Sequence, residues 1–229
     1  MKESCPTFFY RYRHGFLLSY FIVYLAWFCY LERTVQPTYW IHSWLDDLIP
    51  FQEIFVVPYL FWFVYVGWAI AYFLFKSPEE FYRLCAFLFT GMTLCLTIYT
   101  FFPNGHHLRP WSFPRENVFT QLVRFIYSID SCTNVDPSIH VLNSIGVHIA
   151  VWRSELLKKK KWVRYGSLIS CVLICMSTVF LKQHSVEDVI SACVVAVPLY
   201  LLVYRYDWTS VRQWWQERCA EREKLNLRR

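Results

Sequence analysis

Three short segments of this 229-residue chain carry side chains that can act together: Arg109-Pro110, Pro137-Ser138-Ile139-His140, and Ser177 followed by His184 and Asp188. An arginine presents a planar fork of donors suited to phosphate oxygens. An imidazole whose one N–H is accepted by a carboxylate offers its other nitrogen as a nucleophile. A second imidazole can protonate a departing oxygen. An Arg, two His and an Asp meeting at one place can therefore hold a phosphate and exchange it.

Each segment also has a plainer reading. In 177–188, STVFLKQHSVED, a helix beginning near Ser185 would put Asp188 one turn from His184, within reach of its ring. The same spacing serves two ligands of one metal ion, or a polar pair that locks two helices, and the three readings stand side by side. Asp136 as cap and Pro137 at the first helical position predict a helix that starts there. That start would place the Ser138 hydroxyl and free backbone N–H groups at a helix N-terminus, where anions bind. A capped helix with a buried His140 is the alternative. Arg109 alone equally fits a lipid headgroup contact, and His106 and His107 fit either a metal site or a mobile loop. His148, two turns beyond His140, is read as a packing residue.

The elements that must position these groups are apolar helices. The chain is 56% hydrophobic and 17% charged, against about 25% charged residues in soluble domains, and its charges fall between long apolar runs. Six stretches, about 15–31, 54–75, 84–102, 138–152, 162–181 and 186–204, approach the roughly 20 residues that cross a bilayer. They lack the alternation of barrel strands, so they are helices. The fourth is short and polar, and suits the interior of a bundle. Buried ionisable groups are costly in a membrane, so clustered ones mark function.

Loop charge orients the spans, because Lys and Arg collect on the cytoplasmic side. With six spans, eighteen of the 23 basic residues lie on the side of the two termini. Both ends are therefore expected in the cytoplasm, and Arg109, His140, His184 and Asp188 together at the opposite face. The first span follows Lys2, Arg11 and Arg13 and lacks a small-residue cleavage site, as in an uncleaved signal anchor. Residues 1–53 read as this anchor and an interfacial loop, 54–205 as the helical core, and 206–229 as a basic cytoplasmic tail. Segment 116–129 is expected to form a short amphipathic helix over the site. Lys158 to Lys161 are read as a topology signal, with anionic lipid as the lesser possibility. Orientation accounts for the basic residues, so no nucleic-acid partner is expected. The nine cysteines include no Cys-x-x-Cys pair and carry no zinc or redox motif.

Taken together, the three segments resemble the type 2 phosphatidic acid phosphatase superfamily. Its pattern is a Lys-x6-Arg-Pro site, a Pro-Ser-Gly-His site and a Ser-Arg-x5-His-x3-Asp site. The chain matches at Arg109-Pro110, at Pro137, Ser138 and His140, and at Ser177, His184 and Asp188. Phe102, Ile139 and Thr178 stand where the family has Lys, Gly and Arg, and Lys182 is a candidate replacement cation. The Pro-Ser-Ile-His and Lys-Gln-His forms are most similar to the inositolphosphorylceramide-synthase-like branch, which includes transferases. The resemblance implies an all-α integral membrane protein with a six-transmembrane-helix bundle, and a phosphatase or phosphotransferase that needs no metal or cofactor. It implies a phosphorylated lipid substrate in the cell membrane. By the same resemblance His184 forms a phosphohistidine, Asp188 orients it and His140 is the acid for the leaving group. Arg109, Ser138, Ser177 and Lys182 would bind phosphate. The rival expectation, motivated by the missing cations, is a non-catalytic lipid-binding or transport subunit on the same fold.

Overall fold

The computed structural model describes residues 12–206. The tail 207–229 and the basic residues Lys2 and Arg11 lie outside them, so the expectations for those segments concern residues not described here.

The described residues are mostly helical. A 3-10 turn, Arg13–Ser19, leads into α1 (Tyr20–Thr34), and the connection that follows contains β1 (Tyr39–Trp40) and the short α2 (Trp44–Leu48). A further 3-10 turn, Glu53–Phe55, opens α3 (Val56–Lys76), and α4 (Pro78–Phe101) returns. After β2 (Asn104–Gly105) come α5 (Val118–Ile129), α6 (Ile139–Arg153), α7 (Lys161–Phe180) and α8 (Val186–Tyr200), the last continued by a π-helical turn, Leu201–Arg205.

Among the described residues, five helical runs are long and apolar enough to cross a membrane: Arg13–Thr34, Glu53–Lys76, Pro78–Phe101, Lys161–Phe180 and Val186–Arg205. The expected fourth span is different. At 15 residues, α6 rises only about 22 Å, and it packs against α3, α4, α7 and α8. It runs the full way between the two ends of the bundle. Ser138 at its start is tied to α8, while Ser154 just beyond its end donates to Glu80 in the first turn of α4. Its interior position explains how it carries His140, Asn143, Ser144 and His148. Gly146 lets it approach α4 closely, since a Cβ there would lie 2.5 Å from the Phe87 ring. Small residues serve this purpose between membrane helices. His148 does pack between helices, its Nδ1 3.2 Å from Ser167 Oγ.

The third span starts earlier than its hydropathy suggests. Ser77 Oγ accepts the Glu80 N–H and Pro78 occupies the first turn, so residues 78–83 are helical and not part of a loop. Capping chemistry overrides local polarity here. A parallel pair, Tyr39 with Asn104 and Trp40 with Gly105, also departs from the all-α expectation. It stitches the connection after α1 to the one after α4. Thr133 bridges to Gly105 from the opposite side, and a side chain at Gly105 would meet the Cys132 carbonyl at 2.7 Å.

Candidate functional site

Arg109, Ser138, His140, Ser177, Lys182, His184 and Asp188 lie at the end of the bundle where α3, α6 and α8 begin and α1, α4 and α7 finish. The centre of the site is built locally. Ser185 has extended backbone and caps α8, and Asp188 in its first turn returns the cap by accepting the Ser185 N–H at 2.9 Å. The same Asp188 Oδ2 accepts His184 Nδ1 at 3.0 Å. Both residues are buried. The helix start, the imidazole and its carboxylate thus form one unit, as the i, i+4 spacing predicted.

His140 joins this unit from α6. Its ring stands edge-on to that of His184, 5.7 Å between centroids, and is flanked by Tyr59 at 4.8 Å and Trp62 at 4.5 Å. Its helix is placed by Ser138, whose N–H donates to the Asp188 carbonyl at 3.2 Å. The expected cap, Asp136, is not the cap. Asn104 holds the Asp136 backbone N–H and carbonyl, both at 2.9 Å. Ser138, with extended backbone, therefore caps α6 by accepting the Val141 N–H at 3.4 Å. Tyr99 completes the clamp by donating to the Pro137 carbonyl at 2.5 Å.

The expected phosphate binders sit differently. Arg109 Nη1 donates to the carbonyls of Tyr127 (3.3 Å) and Asp130 (2.9 Å), and Nη2 to the Ser131 carbonyl (2.7 Å) and to Gln183 Oε1. The guanidinium also lies 4.3 Å over the Tyr127 ring. Its Nε–H is buried without a partner, as are the Trp62 indole N–H beside His140 and Asp188 Oδ1. Buried polar atoms of this kind are rare, and three of them border one site. Ser177 donates back to the Ile174 carbonyl of its own helix at 2.6 Å. Lys182 does not face the imidazole pair as a replacement cation: its ammonium donates to the carbonyls of Asp46 and Ile49, both at 2.6 Å. Its backbone has φ 53°, a left-handed C-cap conformation usually given to glycine. Those two bonds account for a lysine in that position.

Asp46 and Glu32, outside the three segments, and Gln183, within the third, complete the arrangement. Asp46 of α2 accepts Ser185 Oγ at 2.6 Å and the Val186 N–H at 2.9 Å, so it caps α8 from 139 positions away. Ser43-Trp44-Leu45-Asp46 has the spacing of a capping box, and Asp46 does close one with Ser43. That motif was the available sequence signal. Gln183 bridges Arg109 to Asp130 (3.3 Å) and Tyr59 (3.4 Å). Glu32, at the end of α1, accepts from Ser131, Thr133 and Asn134 and fixes the loop that cages Arg109.

His106, expected in a loop or a metal site, is fully buried. Its Nε2 donates to the Gln183 carbonyl at 2.8 Å while its Nδ1 accepts the Leu108 N–H at 3.2 Å. Those partners require the neutral ring, and burial lowers its pKa to about 4. His107 stacks on Trp40 at 3.8 Å. Among the described residues no three of His, Cys, Asp and Glu stand together as a metal-holding group.

Burial also lowers the pKa of His184 to about 3, against a hydrogen bond with the Val135 backbone. His184 is therefore a neutral nitrogen base throughout the physiological range. Asp130 moves the other way, raised by burial to about 6. The two imidazoles refuse protons that the unfolded chain accepts below pH 6.5, so stability declines as pH falls toward about 4. Asp130 offsets one of them, because the native carboxyl takes its proton first. His106→Asn is expected to lose less apparent melting temperature between pH 7 and pH 5 in detergent than the wild type does, because the buried ring that refuses a proton is gone. The same pH dependence in both proteins would contradict the assignment of a neutral buried ring at His106.

Comparisons with models of known families, with characterised proteins and with solved structures give no match.

Proposed function

We propose that the chain is a membrane enzyme that transfers a phosphoryl group from a lipid-linked phosphate through His184. One observation carries this reading: the buried His184–Asp188 pair, 3.0 Å apart, with the His140 ring beside it. Asp188 keeps the His184 proton on Nδ1, so Nε2 attacks phosphorus. The bond from phosphorus to the leaving oxygen breaks, and that oxygen takes a proton from His140. Water or an alcohol then attacks the phosphohistidine and gives its proton to His140. The P–N bond breaks and His184 is restored. The unpartnered N–H groups of Arg109 and Trp62 suit the anion that forms, because a buried donor gains most where negative charge develops. We place the chain in the type 2 phosphatidic acid phosphatase superfamily as a six-span bundle with α6 as the innermost crossing. Its termini are in the cytoplasm and its site faces the other side of the cell membrane.

A second reading, a lipid-binding or transport subunit without chemistry, is favoured by the cations themselves. All four Nη hydrogens of Arg109 have acceptors, and Lys182 is engaged by backbone carbonyls. Incubating the purified protein with a panel of phospholipids, with and without alcohol acceptors, separates the two. The proposal expects a dephosphorylated or transphosphorylated product, inhibition by vanadate and indifference to chelators. Binding without turnover across the panel would favour the second reading, and activity lost in EDTA and restored by zinc would favour a metallohydrolase.

A further inference from the structure

The site is rimmed by two short elements whose outer faces are apolar and open. On α5, at about 100° per residue, Val118, Leu122, Phe125 and Ile129 fall on one arc, and they are 68, 37, 62 and 69% exposed. A second arc, with Thr120, Val123 and Ile126, is buried against Val56, Tyr59 and Leu181. The third arc carries Gln121, Arg124 and Ser128, with Arg124 paired to Glu116 at 2.8 Å. The helix thus has a protein side, a polar side and an apolar side that the protein leaves uncovered. On α2, Trp44 and Leu48 are likewise exposed, one turn apart, while Asp46 points into the site.

We infer that α5 and α2 form a collar inserted into the headgroup–acyl boundary of the leaflet at the site end, with lipid as the occupant of both apolar faces. Lipid is the occupant because the collar adjoins the membrane-spanning band of α3. α5 lies across the beginning of α3, where Ile54, Val57 and Phe61 are exposed on a membrane-length helix. An arc of large apolar residues extending that band sideways, with a polar arc beside it, is the pattern of an interfacial helix. Twelve residues make it too short to span, and an exposed tryptophan such as Trp44 suits that depth.

The inner faces of the same elements hold the chemistry. Asn117, the α5 cap, donates to Glu53 at 3.1 Å, and Tyr127 near the far end donates to the Leu181 carbonyl at 2.5 Å. The carbonyls of Tyr127 and Asp130 hold Arg109, and α2 supplies Asp46 to the α8 start. The collar therefore sets the site at headgroup depth, whatever reaction the site performs.

The test is photocrosslinking of the full chain in phosphatidylcholine vesicles. Benzoylphenylalanine is introduced separately at Phe125, at Gln121 on the polar arc, and at Phe61 on α3. Phe125→benzoylphenylalanine is expected to give phospholipid adducts as abundant as those from Phe61 and several-fold above those from Gln121. No lipid adduct at Phe125 while Phe61 yields one would overturn the inference. So would equal labelling at Phe125 and Gln121, or a chain-to-chain adduct at Phe125, which would make that face a contact between two copies.

Discussion

His184→Ala is expected to lower phospholipid turnover by on the order of 10⁴-fold or more, the scale seen when a nucleophile is removed from a catalytic unit. The loss should appear in the rate at saturating substrate, because the imidazole contributes bond formation and not binding. Asp188→Asn is expected to cost somewhat less, on the order of 10³- to 10⁴-fold. An amide can still meet the ring but no longer selects the tautomer that leaves Nε2 free. It also disturbs the α8 cap, since Oδ2 accepts both His184 Nδ1 and the Ser185 N–H. Measuring turnover beside a melting curve separates the two effects. Full turnover in a folded His184→Ala protein would remove His184 from the reaction.

Asp46→Ala is expected to have the largest effect on stability. Its two carboxylate oxygens accept the Ser43 N–H, the Ser185 hydroxyl and the Val186 N–H, and it is buried. Removing it leaves buried donors unpaired, at about 1–3 kcal/mol each, and takes a negative charge from the positive end of the α8 dipole. A loss of roughly 3–5 kcal/mol follows, together with a fall in turnover because His184 immediately precedes that cap. Asp46→Asn retains an acceptor and should recover part of both. Wild-type melting in the alanine protein would mean that α2 does not anchor the site.

Local geometry explains what could be read in advance. His184 and Asp188 are one helical turn apart, so their meeting needs only the helix that the sequence signals at Ser185. The short amphipathic helix also sits where its pattern puts it, at Val118–Ile129. Contacts across the chain were less legible. The cage around Arg109 is largely backbone carbonyl, and a carbonyl has no residue identity to read. Lys182 lies near His184 in sequence, yet the left-handed turn at its own position sends its ammonium to α2. Asp136 looked like a cap until Asn104, far upstream, took both its backbone groups. α6 illustrates the limit of hydropathy. Buried among four other helices, it needs neither the length nor the apolar composition of a lipid-facing span.

The most direct test of the central claim is to quench the enzyme during turnover of a radiolabelled phospholipid and map the trapped phosphate by peptide. An acid-labile, base-stable phosphate is expected on the peptide containing His184, absent from the His184→Ala protein and released on adding an alcohol acceptor. Turnover with no trapped phosphate at His184, or with phosphate on a serine or on His140 instead, would contradict it.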